Sequence, residues 1–179
     1  MIAGRYRRHV LASVGGTATR PALGRIRQRL FDILQGQVEG RVFADLYAGT
    51  GAVGIEALSR GAERAVFVES DARALRVIRR NLAAIGIADR SEVRNQRVQL
   101  AVRTISADIY FLGPPYDARL EYERTLIALG ARSLDWAIAQ HDRQLDLAET
   151  YGTLRKVRLV RIGRNRLSMY RHRHGETEL

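Results

Sequence analysis

Val42-Phe43-Ala44-Asp45-Leu46-Tyr47-Ala48-Gly49-Thr50-Gly51-Ala52-Val53-Gly54 is an apolar run that breaks into glycines. Its first part, Val42 to Leu46, has the composition of a buried strand, with Asp45 near the carboxyl end. Gly49, Gly51 and Gly54 then set a tight turn, and Val53-Gly54-Ile55-Glu56-Ala57-Leu58 begins a helix. Glycine takes positive φ without a Cβ clash, so the backbone can turn sharply here and approach a ligand closely. Strand, glycine turn and helix N-terminus in succession make a nucleotide-type cradle. A plain strand–turn–helix corner shows the same pattern, and Gly-x-Gly-x-x-Gly alone does not separate the two.

The carboxylates separate them. Asp45 lies on the strand itself, where it would repel a pyrophosphate but attract a ligand with a cationic amino-acid end, such as S-adenosylmethionine. About twenty residues after the glycine turn, the strand Ala65-Val66-Phe67-Val68-Glu69 ends in a second carboxylate, placed for a ribose diol.

The chain of 179 residues is long enough for one domain with a real core. It has no cysteine, which excludes a disulfide framework and a cysteine-based metal site, and no metal is expected. The first residues, Met1-Ile2-Ala3-Gly4-Arg5-Tyr6-Arg7-Arg8, lack an apolar signal core. No run reaches membrane-spanning length, so a cytoplasmic protein that does not engage membranes is expected. The net charge is +11, and Lys156 is the single lysine among 30 basic residues. Such an excess points to a polyanionic partner, with a merely solvated basic surface as the alternative.

Residues 1–20 are dense in charge (Arg5, Arg7, Arg8, His9, Arg20) and poor in apolar content. They read as a basic arm on a main domain of residues 21–179, with at most a short strand or hairpin at Val10-Leu11 and a loop at Gly15-Gly16-Thr17. A helix is predicted from Pro21 to Gly36, with Leu23, Ile26, Leu30 and Ile33 or Leu34 on one face and Arg25, Arg27 and Arg29 elsewhere. The chain then alternates. Strand 42–46, helix 53–60, strand 64–69 and helix 71–85 are followed by a polar strand near 91–95 and a helix around 97–104. Strand 107–112, helix 119–130 and a strand near 134–140 complete the series. Repeated strand–helix units make an α/β fold with a parallel sheet covered on both faces. Leu154 to Ile162, a turn at Gly163 and Arg166 to Arg171 read as an antiparallel hairpin.

A second landmark is Gly113-Pro114-Pro115-Tyr116, which breaks the strand ending at Leu112. Ligands of open α/β sheets bind at such carboxyl ends. Two prolines fix φ and remove two donors, leaving rigid carbonyls beside a ring able to stack on a base. That combination suits a flipped-out nucleobase with an amino group. A simple Pro-Pro turn is the alternative.

These residues resemble RsmD-type enzymes, the small-subunit ribosomal RNA guanine-N2 methyltransferases that use S-adenosylmethionine. The resemblance runs through Ile2 to Arg8, Thr19-Arg20-Pro21, Arg25 to Leu34, Asp45 to Ala62, Phe67-Val68-Glu69-Ser70-Asp71 and Asn81-Leu82. It implies a Rossmann-like class I methyltransferase fold, a seven-stranded sheet with strand 7 antiparallel. It implies S-adenosylmethionine held by Asp45, Tyr47, Gly49, Gly51, Glu69, Ser70 and Val98. It further implies base positioning by Gly113, Pro114, Pro115 and Tyr116, and RNA contacts from Arg5, Arg7, Arg8, Arg20, Arg25 and Arg27. The expected partner is ribosomal RNA or the assembling small subunit, met by a monomer.

The chain departs from the family at Gly113, where an Asp or Asn usually accepts a hydrogen bond from the target amine. It also differs at Ala22, Leu23, Gly24 and Gln28, and at Arg97-Val98 near the adenine position. The leading expectation is methylation of a guanine exocyclic amine in 16S ribosomal RNA. A catalytically weakened or inactive RNA-binding relative is the alternative, and a small-molecule methyltransferase fits the basic arm poorly.

Overall fold

The computed structural model describes residues 1–14, 21–114 and 118–172. Arg20, Pro115, Tyr116 and the Gly15-Gly16-Thr17 segment lie outside the described residues. The elements run α1 (Pro21–Ile33), β1 (Val42–Leu46), α2 (Ala52–Ser59), β2 (Arg64–Glu69), α3 (Ala72–Ile85), β3 (Ser91–Asn95), α4 (Val98–Ala101), β4 (Ile109–Leu112), α5 (Arg119–Gly130), β5 (Trp136–Asp142), β6 (Thr150–Tyr151), β7 (Leu154–Ile162) and β8 (Asn165–His172).

Among the described residues the strands form one sheet in the order β3-β2-β1-β4-β5-β8-β7-β6. The first five are parallel, and β8 adds antiparallel to β5. This is the expected Rossmann-like architecture with eight strands rather than seven; the extra strand is the two-residue edge β6, paired only with β7. The expected strand or hairpin at Val10-Leu11 is absent: residues 9–13 form no regular element and Val10 is exposed. The helix expected over 97–104 shortens to one turn in α4.

Period-two alternation decides which face each side chain serves. Phe43, Ala65, Phe67, Ile109, Phe111 and Ile138 pack on one face with Ile26 and Leu30 of α1, Leu34 just after it, Ile55 and Leu58 of α2, and Ile78 and Leu82 of α3. Ala44, Leu46, Val66, Val68, Tyr110 and Leu112 pack on the other with α4 and with Tyr122, Leu126 and Leu129 of α5. The polar β3 survives as a strand because it is an edge: only β2 pairs with it, and Glu92 joins Arg64 and Arg94 in ion pairs at its rim. Strand order reverses between β1 and β4, and a crevice opens at such a switch point beyond the carboxyl ends.

The N-terminal segment is docked. Glu56, buried on α2, accepts the backbone N–H groups of Ile2 and Ala3, each at 3.0 Å. Arg5 N donates to Ser59 O at 2.8 Å, and Ala12 N donates to Asn81 Oδ1 at 2.8 Å. At Gly4 (φ +79) a Cβ would fall 1.9 Å from the Ser59 carbonyl, so only glycine permits the contact.

Candidate active site

Asp45, one residue before the end of β1, lies between Phe67 of β2 and Phe111 of β4, and only 2 % of it is exposed. Its Oδ2 accepts the Gly54 N–H at 2.8 Å, satisfying a donor in the first turn of α2. Burial pushes its pKa up to about 7, reinforced by the Glu69 charge and opposed by the Gly54 bond and Arg27.

Beyond Asp45 the chain turns through positive φ at Tyr47 (64), Gly49 (57) and Gly51 (76). A tyrosine in that region is strained, at a cost of order 1–3 kcal/mol. Its hydroxyl secures it, donating to Glu121 Oε2 at 2.8 Å while Gln99 Nε2 donates back at 3.2 Å. The glycines differ in purpose. A Cβ on Gly49 would meet open space, whereas one on Gly54 would lie 2.4 Å from Phe67 Cε1. Gly54 serves packing, and Gly49 leaves room at the turn.

Glu69 fastens this turn to the end of β2. Oε2 accepts the Gly49 N–H at 2.9 Å, while Oε1 accepts those of Ser70 at 2.7 Å and Asp71 at 2.9 Å.

Two cavities flank the turn, with Tyr47 in the wall of both. The first, about 280 Å³, is lined by Arg27, Asp45, Gly49, Thr50, Phe111, Gly113 and Gln140, with Ile26 and Leu30 of α1 among its other walls. The second, about 490 Å³, is lined by Glu69, Ser70, Gln96, Arg97, Val98, Gln99, Glu121 and Arg124. Together they suit an elongated molecule with a zwitterionic end. Asp45 would take an ammonium. Arg27 lines the same cavity; its buried Nε makes no hydrogen bond among the described residues and lies 3.8 Å from Glu56 Oε2, and its guanidinium would meet a carboxylate. Glu69, Ser70 and Val98 offer a polar and then an apolar wall for a nucleoside. The residues fit S-adenosylmethionine.

The structure thus brings Asp45, Tyr47, Gly49, Glu69, Ser70, Val98 and Gly113 around the two cavities, with Gly51 at the helix N-cap behind them. Pro114 is buried at the strand end. Gly113 has no left-handed φ, and among the described residues a Cβ there would touch only the Phe111 ring, at 3.6 Å. Arg5, Arg7, Arg8 and Arg25 are exposed. Arg27 is not among them: it turns inward, 3.8 Å from Glu56 with 14 % of its side chain exposed. Sequence alone does not single out Gln99, Glu121, Arg124 or Gln140. Gln140 lies within β5, one step past Ala139 as Gly113 is one step past Leu112 on β4, and only the β4–β5 register brings the two together. Nor does it single out Arg73, Arg76 and Arg80. Their helical spacing places them along α3, lining a further cavity of about 360 Å³ with Val14 and Val77.

The family model described as conserved hypothetical protein 95 matches residues 1–171. YlbH of Bacillus subtilis (strain 168), provisionally named an rRNA methyltransferase, is 31% identical over 181 residues, covering 97% of this chain and 98% of YlbH. Ribosomal RNA small subunit methyltransferase D of Escherichia coli (strain K12) is 31% identical over 117 residues, which cover 65% of this chain and 59% of that protein. The solved structure of Escherichia coli yhhF, provisionally described as a methyltransferase, superposes with a TM-score of 0.80 at 26% identity, covering 96% of both chains.

Proposed function

We propose, because this chain belongs to the conserved hypothetical protein 95 family of RsmD-type methyltransferases, that it moves a methyl group from S-adenosylmethionine to the exocyclic N2 of a guanine in small-subunit ribosomal RNA. The observation that carries the reading is that Asp45 and Arg27 line one cavity together with Gly113. That cavity would hold a zwitterion between the acid and the guanidinium, beside the strand end where a base would enter.

In this reading Asp45 and Arg27 bind the two charged groups of the cofactor's methionine, and the Gly49 turn admits its chain. Glu69, already engaged by three N–H groups, keeps that turn in register and presents its remaining acceptor capacity to the ribose. Val98, at the start of α4, covers one side of the adenine. When bound, the cofactor supplies a sulfonium methyl: the N2–carbon bond forms as the carbon–sulfur bond breaks, the sulfur keeps the electron pair, and one N2 proton leaves to water. The Gly113 carbonyl and Pro114 position the amine, with Pro115 and Tyr116 completing the clamp, so the protein acts chiefly by orientation. Arg5, Arg7, Arg8, Arg20 and Arg25 meet the RNA backbone. The protein works as a monomer on the assembling subunit in the cytoplasm.

The test is transfer of a radiolabelled methyl to 16S ribosomal RNA and to partly assembled small subunits, followed by nucleoside digestion. N2-methylguanosine is expected. No transfer to either substrate overturns the activity, and RNA binding that persists without it would leave a non-catalytic relative.

A further inference from the structure

We infer that Gln140 is the side chain that reads the target base, its amide Oε1 accepting an N2–H of guanine while Nε2 donates to the neighbouring N3. The inference rests on the proposed methyl transfer and names the part of the site that selects and orients the acceptor.

The strand register supplies the geometry. Leu112 of β4 pairs with Ala139 of β5, so Gly113, just past the end of β4, and Gln140, still within β5, are the next neighbours in register. Beneath them Phe111 and Ile138 face the same core layer, and alternation turns Gln140 to that same side. Both Gly113 and Gln140 line the cavity that contains Asp45 and Arg27. Neighbouring strands lie about 4.8 Å apart, and glutamine is one methylene longer than aspartate. It is therefore long enough to reach the space that the missing side chain at Gly113 leaves.

The backbone at Gln140 is well held. Its carbonyl accepts the Tyr122 hydroxyl at 2.5 Å, and β8 pairs along it through Leu167. The next residue, His141, is buried, with Nε2 2.8 Å from Ser168 Oγ. Among the described residues no hydrogen bond engages the Gln140 amide itself. A fixed backbone carrying an unengaged amide into a ligand cavity is the arrangement of a positioned recognition group.

The choice of an amide follows from its surroundings. Asp45 is already a desolvated carboxylate on this cavity, and a second negative charge there would raise the cost of ionising either one. Glutamine accepts from an amine without adding charge. It also donates, which matches an amino group beside an unprotonated ring nitrogen. Guanine N2/N3 presents that pair. So does adenine N6 with its ring nitrogens, and the methylated nucleoside distinguishes them.

The experiment measures methyl transfer to small-subunit ribosomal RNA by wild type, Gln140→Leu, Gln140→Glu, and Gln140→Leu combined with Gly113→Asp. Cofactor affinity and thermal unfolding are followed in each. Loss of one positioned group predicts a fall of about 10²–10³ in kcat for Gln140→Leu with cofactor affinity unchanged. Gln140→Glu keeps an acceptor but loses the donor to N3 and adds a charge beside Asp45, so its rate should fall between those of wild type and Gln140→Leu. Gly113→Asp, for which the backbone and, among the described residues, the space are suitable, should restore part of the rate to Gln140→Leu from the adjacent strand. A wild-type rate in Gln140→Leu overturns the inference while leaving the methyltransferase reading intact. A loss in Gln140→Leu that Gly113→Asp does not restore, accompanied by a lower unfolding temperature, overturns it in favour of a structural role. N6-methyladenosine in the digest overturns the assignment to guanine, and an inactive wild type removes the proposed function and this inference together.

Discussion

Arg27 and Glu56 face each other 3.8 Å apart, and the same Glu56 carboxylate holds the N–H groups of Ile2 and Ala3. Arg60 Nε also donates to it at 2.9 Å. One buried acid thus ties the N-terminal segment to the wall of the first cavity. Removing one member of a buried pair costs about 3–5 kcal/mol, because the remaining charge is left uncompensated. Glu56→Ala should lose stability on that scale in denaturant unfolding and speed hydrogen exchange at Ile2 and Ala3. Unchanged exchange at those two amides would show that the docking does not depend on Glu56.

Arg27 should affect cofactor rather than RNA. Arg27→Gln is expected to weaken S-adenosylmethionine binding at least tenfold, about 1.4 kcal/mol, in calorimetry. The salt dependence of RNA binding should stay as in wild type. A flattened salt slope with intact cofactor affinity would return Arg27 to the RNA surface.

The RNA surface itself is tested without deleting the arm, since residues 2–12 are part of the packed structure. Changing exposed Arg5, Arg7 and Arg8 to Gln should lower the log–log salt slope by about 0.7 for each phosphate of single-stranded RNA that is no longer neutralised. Arg76→Gln with Arg80→Gln on α3 tests the second basic face in the same way. If neither set moves the slope, both are solvated surface.

Asp45 makes cofactor binding depend on pH. Its folded pKa lies near 7 against an ordinary 3.8. The stabilising contribution of the protonated form is therefore complete below about pH 4 and is lost as pH rises through about 7. A cationic amine requires the carboxylate, so cofactor affinity should climb with pH, about tenfold per unit below 7, and level off above it. Binding below that point should release a proton, detectable by calorimetry in buffers of different ionisation enthalpy. Asp45→Asn keeps an acceptor for Gly54 and should abolish the pH dependence while weakening binding. A flat profile in wild type would place the ammonium elsewhere.

Gly54→Ala drives a Cβ to 2.4 Å from Phe67 Cε1. Overpacking of this kind costs about 1–3 kcal/mol. Pairing it with Phe67→Leu should recover part of that stability in thermal unfolding. Additive destabilisation in the double variant would mean that the two residues do not compete for space.

Much of the architecture is legible in the sequence because its signals are local. The apolar run at Val42 to Leu46, the helical spacing of Leu75, Ile78 and Leu82, and the glycine stop at Gly86 each depend on residues within a turn or two. The hairpin around Gly163 is equally local. Sequence and structure part where tertiary context overrides local pattern: Val10-Leu11 finds no strand to pair with, and β6 exists only because Leu154 and Arg155 offer it an edge. The site is half legible. Asp45, the glycines and Glu69 stand close in sequence, and steric need at the turn restricts them to few residue types.

The chain by itself determined the strand–turn–helix cradle, the alternation of elements and the basic balance, because dihedral preference and hydrophobic period act between near neighbours. Only the tertiary structure decided that Gln140 stands beside Gly113, that Arg27 turns inward to Glu56, and that Ile2 and Ala3 close on the same acid. Those neighbours meet through strand register and the packing of α1 and α2 against one sheet face. Such contacts join residues 27 to 54 positions apart, a separation at which no periodicity in the chain records who lies next to whom.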